Sequence, residues 1–286
     1  MGGLTDDQVQ RFQRDGFLVL ESFASPEEVQ RLRSRAEELV DSFSPESVSV
    51  FSTKSQTKST DQYFLESASN VSFFFEEDAF AEDGSLRQAK ALSINKIGHA
   101  LHDLDPEFCS FSRSEKVAAV LQSLNIRRPL PVQSMYIFKQ PKIGGEVRPH
   151  QDSTFLRTDP PSVIGLWWAL EDATKQNGCL WALPGAHAQG VARHFIRKED
   201  DTVTFDKDLP EYNTEDFVPL EVPSGSLVLL HGANVHFSYS NTSPQSRHAY
   251  SMHVIEGAPG TNYLPDNWLQ RRSDLPFEPL AMPQAA

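Results

Sequence analysis

The segment His150-Gln151-Asp152 decides how the rest of this sequence is interpreted. Side chains at positions i and i+2 of a β-strand point to the same face of the sheet, whereas on a helix they diverge by roughly 200°. We predict that residues 147–152 form a strand. His150 and Asp152 can then bind one metal ion together, while Gln151 faces away.

A third ligand is expected from a histidine later in the chain. Two His and one carboxylate hold one face of Fe(II) and leave positions open for O₂ and a chelating co-substrate. His231 and His236 both follow the apolar run 227–230, and position alone does not choose between them. In double-stranded β-helix oxygenases the distal His opens a strand, and the Arg that binds the far carboxylate of 2-oxoglutarate lies on the next strand. This arrangement favours His236, with Ser238 and Arg247 behind it, because Arg pairs bidentately with carboxylates and keeps its charge.

Four longer segments extend the pattern over much of the chain. They are FQRDGFLVL at 12–20, SINKIGHALH at 93–102, QSMYIFKQP at 133–141 and GGEV at 144–147. With these segments the chain resembles the phytanoyl-CoA dioxygenase family of Fe(II)/2-oxoglutarate oxygenases nearly end to end. The segments are long, and they are far more specific than a three-residue motif.

The resemblance implies a role for eight residues. The iron ligands would be His150, Asp152 and His236, and 2-oxoglutarate would contact Lys96, Met135, Trp167, Ser238 and Arg247. The implied reaction uses Fe(II) and O₂, with ascorbate as a candidate reductant. It converts 2-oxoglutarate to succinate and CO₂ and hydroxylates a small hydrophobic or acyl-type substrate, which the sequence does not identify.

Some of these roles rest on the resemblance alone. Lys96 lies in a helix-like segment, where a lysine is usually a solvated charge. Met135 and Trp167 are residue types that more often fill a core, and Trp167 and Trp168 would face opposite sides of one strand. Without the resemblance, none of these residues would be assigned to a binding site.

Other polar residues near the motif receive no assigned role. His99, His102, His187, His194, His248 and His253 are predicted to be structural. Lys139, Lys142 and Arg148 are predicted to cluster near the site entrance, where they could bind an anion, although such clusters more often form a solvated face.

The predicted fold is mainly β with flanking helices, built on a double-stranded β-helix core of the jelly-roll, cupin-like type. Short apolar runs separated by Gly, Pro, Asn and Asp predict strands. These strands fall at 132–139, 147–152, 163–171, 178–183, 217–221, 226–231 and 247–255. We predict one domain over residues 1–286, with a mostly helical part at 1–131, the jelly-roll core at 132–256 and a tail at 257–286.

Helical patterns concentrate in the N-terminal part. Thr5 is a predicted N-cap of a helix that ends at Gly16, and Ser25-Pro26-Glu27-Glu28 predicts the capping box of a second helix to about Asp41. Residues 42–60 read as a loop near the mouth of the site, and 73–75 as a short core strand. Further helices are predicted at 91–102 and 112–124.

Composition excludes several classes of partner. Twenty-six basic against 39 acidic residues give a net charge of −13, which argues against nucleic acid or an anionic membrane surface. The longest apolar run, 163–170, is shorter than the roughly 20 residues that a membrane span requires. Cys109 and Cys179 have no metal-type spacing, and no secretory start is visible, so we expect a cytoplasmic protein.

Two other classes of function remain open. One is a non-catalytic sensor or scaffold that binds iron and 2-oxoglutarate; the other, less favoured, is a cupin-like zinc hydrolase, which would not need Arg247. A halogenase is disfavoured because Asp152 keeps the carboxylate that halogenating relatives replace with a small residue.

Overall fold

A computed structural model describes residues 2–44 and 62–282 of the chain. The α-helices of this part are α1 Asp6–Asp15, α2 Pro26–Ser42, α3 Gln62–Glu66, α4 Leu101–Leu104, α5 Pro106–Ser112 and α6 Glu115–Ser123. The strands are β1 Phe17–Leu20, β2 Val71–Phe75, β3 Ile94–His99, β4 Pro129–Ile137, β5 Val147–His150, β6 Thr158–Asp159, β7 Ile164–Ala169, β8 Leu180–Ala182, β9 Phe195–Arg197, β10 Val203–Phe205, β11 Val218–Leu220, β12 Leu227–His231, β13 His236–Ser238, β14 Ala249–Glu256 and β15 Asn262–Tyr263.

Two antiparallel sheets form the framework. The larger has seven strands in the order β1-β12-β7-β14-β4-β3-β2, and the smaller has four in the order β11-β8-β13-β5. Neighbouring residues of β7 face opposite sides of the sheet: Trp168 packs with the helices, and Trp167 packs in the core between the sheets. The predicted opposition of these two tryptophans is confirmed.

The first two helices begin as their sequences predict. The side chain of Thr5 accepts a hydrogen bond from the Gln8 amide and caps α1, which ends at Gly16 with a φ of 79°. Ser25 and Glu28 form the same reciprocal box at the start of α2, where Pro26 takes the first helical position. Buried residues of both helices pack against the outer face of the large sheet.

The helical prediction for residues 91–102 is wrong over its central part. Residues 94–99 form β3, all six of them buried, and this strand pairs with β2 on one side and β4 on the other. Hydrogen bonding and packing on both edges outweigh the helix-like spacing of the apolar residues. The large sheet therefore also includes β1, β2 and β3 from the predicted helical part.

The seven predicted strands of the C-terminal half are all present, with ends displaced by at most three residues. The predicted strand at 147–152 stops earlier, at His150, and a short 3₁₀ turn, Asp152–Thr154, follows. From residue 45 onward, the predicted loop at 42–60 lies outside the described residues. In the described part of the chain, no helix combines the length and apolar composition needed to cross a membrane.

Candidate metal and co-substrate site

The three predicted iron ligands meet at one edge of the small sheet. His150 ends β5 and His236 opens β13, and the two residues are direct partners across these antiparallel strands. Asp152 is not on the strand, as the spacing argument assumed. It lies in the following turn, whose Ser153 amide donates to the Gly232 carbonyl at 2.8 Å. The turn therefore brings the carboxylate alongside the two imidazoles.

The distances suit a shared metal ion. Asp152 Oδ1 lies 3.6 Å from His236 Nε2 and 3.9 Å from His150 Nε2, and all three ligand atoms fall within 4.8 Å of one another. His150 Nδ1 donates to the Arg148 carbonyl at 2.9 Å, and His236 Nδ1 donates to the Asn234 carbonyl at 3.2 Å. These bonds leave both Nε2 lone pairs directed at the centre of the group.

Protonation favours metal binding as well. Burial, followed by the nearby His236, lowers the pKa of His150 to about 3, so the imidazole is neutral. Burial acts to raise the pKa of Asp152, but the adjacent histidines, His253 first, outweigh it and hold that pKa below its usual range. Two imidazoles and one carboxylate are a donor set that fits Fe(II).

The structure places His236, and not His231, beside His150 and Asp152. His231 ends β12 on the far side, with its ring centroid 4.9 Å from that of His187. Its Nδ1 accepts from the Ala233 amide at 3.1 Å. It is not part of the metal-binding group.

One cavity joins the metal-binding group to the predicted co-substrate residues. This cavity, of about 200 Å³, lies between the two sheets. All eight residues singled out from the sequence line it: His150, Asp152, His236, Lys96, Met135, Trp167, Ser238 and Arg247. The structure thus brings together residues that are spread over five strands and their flanking segments.

Arg247 and Ser238 are aligned by a shared carbonyl. Arg247 Nε and Ser238 Oγ both donate to the Gly178 carbonyl, at 3.1 and 2.9 Å. The Arg247 guanidinium lies 5.1 Å from the centre of the Trp167 ring. Within the described residues, its buried Nη1 has no hydrogen-bond partner. Burial lowers the pKa of Arg247 to about 10, so the side chain keeps its charge at neutral pH.

Lys96 is buried in strand β3 and does not lie in a helix as its segment suggested. Its Nζ lies 5.4 Å from the centre of the Phe74 ring. Burial lowers the pKa of Lys96 to about 7, and the nearby Glu76 partly opposes that shift. Lys96 is therefore a buried amine whose charge depends on its surroundings at physiological pH.

Sequence reasoning assigned no site role to several residues that line the cavity, among them His253 and Lys139. His253, predicted to be structural, has its Nε2 3.2 Å from Asp152 Oδ1. Lys139, predicted to lie in a cluster at the entrance, is buried, while Lys142 and Arg148 are exposed. The period of the predicted strand 247–255 could have found His253, which is six residues after Arg247. Lys139 lies beyond the end of β4, so no such period marks it.

Aromatic side chains form part of the remaining cavity wall, alongside aliphatic and polar ones. Phe64, Phe155, Phe195 and Trp268 line it beyond the metal-binding group. The rings of Phe64 and Trp268 stack at 4.3 Å, and the Phe155 and Phe195 rings lie 5.6 Å apart. The cavity thus has a cationic end, a metal-binding centre and an aromatic end.

Comparison with known proteins places the chain among characterised relatives. Residues 12–249 match the family model described as Phytanoyl-CoA dioxygenase (PhyH). The chain is 56% identical to "Phytanoyl-CoA dioxygenase 1" of Oryza sativa subsp. japonica, with 98% of both chains covered. It is 47% identical to "Phytanoyl-CoA dioxygenase domain-containing protein 1" of Mus musculus, covering 98% of this chain and 99% of the relative.

A solved structure supports the architecture. The epimerase SnoN, determined in complex with Fe³⁺, alpha ketoglutarate and nogalamycin RO, superposes with a TM-score of 0.63 at 15% identity, covering 98% of this chain and 95% of SnoN. At this identity the likeness shows the fold alone. The predicted jelly-roll core of the Fe(II)/2-oxoglutarate oxygenases is confirmed.

Proposed function

Because the chain belongs to the phytanoyl-CoA dioxygenase family, we propose that it is an Fe(II)- and 2-oxoglutarate-dependent dioxygenase that hydroxylates a small apolar or acyl-type substrate. The observation that carries this proposal is the cavity shared by the metal-binding group and Arg247. A zinc hydrolase would not need a buried guanidinium there, because it takes no dicarboxylate co-substrate.

Different residues of the cavity would bind the metal and the co-substrate. His150, Asp152 and His236 would hold the metal, which when bound supplies the open coordination positions for a chelating co-substrate and O₂. Arg247 and Ser238 would fix the far carboxylate of 2-oxoglutarate, since Arg247 Nη1 has no partner among the described residues and the Ser238 hydroxyl can rotate its single O–H from the Gly178 carbonyl toward a ligand.

The flanking walls of the cavity would keep the co-substrate in one orientation. Trp167 packs beside Arg247 and excludes water from the guanidinium. Lys96 would add positive charge at the same end, and Met135 would fill the space along the carbon chain. A dry site strengthens each of these charge-assisted contacts.

The aromatic end supports an apolar substrate. Four aromatic side chains gather beyond the metal-binding group, where their rings would pack against a hydrocarbon or ring system. The cytoplasmic location and the role of ascorbate stay predictions.

Succinate release tests the proposal without knowledge of the substrate. The protein would be incubated with 2-oxoglutarate, Fe(II), ascorbate and O₂, and succinate would be quantified for the wild type, Asp152→Ala and Arg247→Ala. We expect slow succinate formation by the wild type and a loss of about 100-fold or more in both variants, because each removes a buried charged partner.

Two exposed positions provide matched controls. Asp208→Ala and Arg11→Ala remove the same side chains at the surface and should leave succinate formation unchanged. Tight 2-oxoglutarate binding without any succinate, even after a screen of apolar substrates, would instead favour the sensor.

A further inference from the structure

The co-substrate end of the cavity contains a third buried cation, Lys139. It follows β4, is 2% exposed and lines the cavity. Its φ of 41° lies in the left-handed region, which is uncommon for a residue with a side chain. Its carbonyl accepts from Asn241 Nδ2 at 3.0 Å and from the Arg247 amide at 3.3 Å, so the backbone is held in place.

The Lys139 side chain packs on the residue that aligns Arg247 and Ser238. A Cβ on Gly178 would lie only 2.7 Å from Lys139 Cε and 2.8 Å from the Tyr239 carbonyl oxygen, so the lysine stem packs directly on this glycine. The Gly178 carbonyl is also the acceptor for Arg247 Nε and Ser238 Oγ. Arg247, Ser238 and Lys139, which could all donate to a carboxylate, therefore meet at Gly178.

The charges around Lys139 are unbalanced. Its Nζ donates to the Gly145 carbonyl at 2.7 Å, and the Gly145 amide donates to Glu76 Oε2 at 3.3 Å. Lys96, Lys139 and Arg247 are all buried, and the buried acid that acts on all three is Glu76. Buried positive charge in excess is costly unless an anion binds or a proton leaves.

The neighbours of Lys139 act in opposite directions on its protonation. Burial, followed by Arg247, lowers the pKa of Lys139 well below its usual value. Glu76, which follows β2, Glu146, which precedes β5, and the Cys179 thiol act to raise it, more weakly. The carboxylate of a bound ligand would also act to raise the pKa of Lys139.

We propose that Lys139 is a third cation of the 2-oxoglutarate site and that it gains a proton from solvent when the far carboxylate binds. The inference rests on the proposed function and deepens it. The amine becomes an ammonium, one proton is consumed for each site that was neutral, and no covalent bond changes. Arg247 is charged in the free and bound states, whereas Lys139 becomes charged only on binding. Because protonation of Lys139 is less favourable at high pH, co-substrate affinity should fall as the pH rises.

Calorimetry measures both halves of this proposal. 2-Oxoglutarate would be titrated anaerobically into Fe(II)-loaded full-length protein at pH 7.5, in HEPES and in Tris. These buffers differ in ionisation enthalpy, so the difference in observed heat reports the protons taken up. We expect net uptake by the wild type, and for Lys139→Met less uptake together with an affinity about tenfold lower or more.

Two further variants separate the charge from the proton. Lys139→Arg keeps a permanent cation, so it should bind 2-oxoglutarate within about threefold of the wild type but with less proton uptake. Lys142→Met alters an exposed lysine three residues away and should change neither quantity. Melting temperatures of the unloaded proteins would verify that each variant is folded.

The outcomes are distinct. Unchanged affinity and unchanged proton uptake in Lys139→Met overturn the inference and leave the proposed function intact. Failure of the folded, Fe(II)-loaded wild type to bind 2-oxoglutarate overturns the proposed function, and this inference with it.

Discussion

The metal-binding centre and the cationic end of the cavity are built by different means. At the metal-binding centre, two imidazoles and one carboxylate are positioned by a strand pairing and one short turn. At the cationic end, Lys96, Lys139 and Arg247 come from three separate elements and share one buried acid. The first region therefore depends on the position of its groups, and the second on charge. A substitution that removes space should weaken metal binding at the first region. A substitution that removes charge should change co-substrate binding and stability at the second.

The strongest test of positional dependence adds a single methyl group. A Cβ on Gly165 would lie 2.7 Å from Asp152 Oδ2, and its next neighbours, at 3.4 and 3.7 Å, are ordinary contacts. Gly165→Ala should therefore displace the carboxylate and leave the strand in place. We expect binding of Mn(II), an air-stable substitute for Fe(II), to weaken by about 100-fold in calorimetric titrations.

Thermal unfolding distinguishes displacement from misfolding. The metal-free Gly165→Ala protein should unfold within a few degrees of the wild type, because the atom that must move is the end of a side chain. Wild-type Mn(II) affinity in this variant would show that the metal centre tolerates displacement and would remove the contrast between the two regions.

A smaller loss at the same centre is expected from His253→Phe. Phenylalanine preserves most of the ring volume but removes Nε2, which lies 3.2 Å from Asp152 Oδ1. The carboxylate would lose a neighbour that holds it toward the metal, so Mn(II) affinity should fall about tenfold. An affinity equal to that of the wild type would mean that the turn at 152–154 positions Asp152 unaided.

The smallest effect is expected from charge removal at the cationic end. Burial lowers the pKa of Lys96 from 10.5 to about 7, so between these values the unfolded chain binds a proton that the folded protein does not. The free energy of unfolding of the ligand-free wild type should thus gain a positive contribution as the pH rises through that window. Below pH 7 the folded protein bears the full cost of the buried ammonium.

Lys96→Met removes this contribution. In urea unfolding of the ligand-free proteins, the variant should be more stable than the wild type by on the order of 1 kcal/mol at pH 7, with the gain shrinking toward pH 9. The same variant should bind 2-oxoglutarate more weakly. A stability difference that does not change with pH would contradict the assignment of Lys96 as a buried titrating amine.

The metal-binding group could be predicted because most of its information is local. His150 and Asp152 are two residues apart, and the apolar run before His231 and His236 announces a strand. The choice of His236 over His231 required the family pattern. A turn separates these two histidines, and the number of residues between them does not predict the geometry of that turn. Their roles in catalysis stay predictions.

The cationic end was harder to predict because its residues meet only through tertiary pairing. Lys96 lies in a segment with helix-like apolar spacing, and its position in β3 depends on β2 and β4 on either side. Lys139 looked like a surface charge, since nothing near it in sequence shows that its stem crosses Gly178. Non-local packing of this kind overrides local propensity.

Trp268 lines the cavity from a different part of the chain than the predicted site residues. It lies beyond the span 12–249 that the family model matches, whereas the eight predicted site residues lie within it. Its segment is tied back by Arg271, whose Nη2 lies 2.8 Å from Asp103 Oδ2. A change in this short C-terminal stretch could thus redirect which molecules are accepted while the redox machinery stays untouched, which makes it the natural place to engineer selectivity.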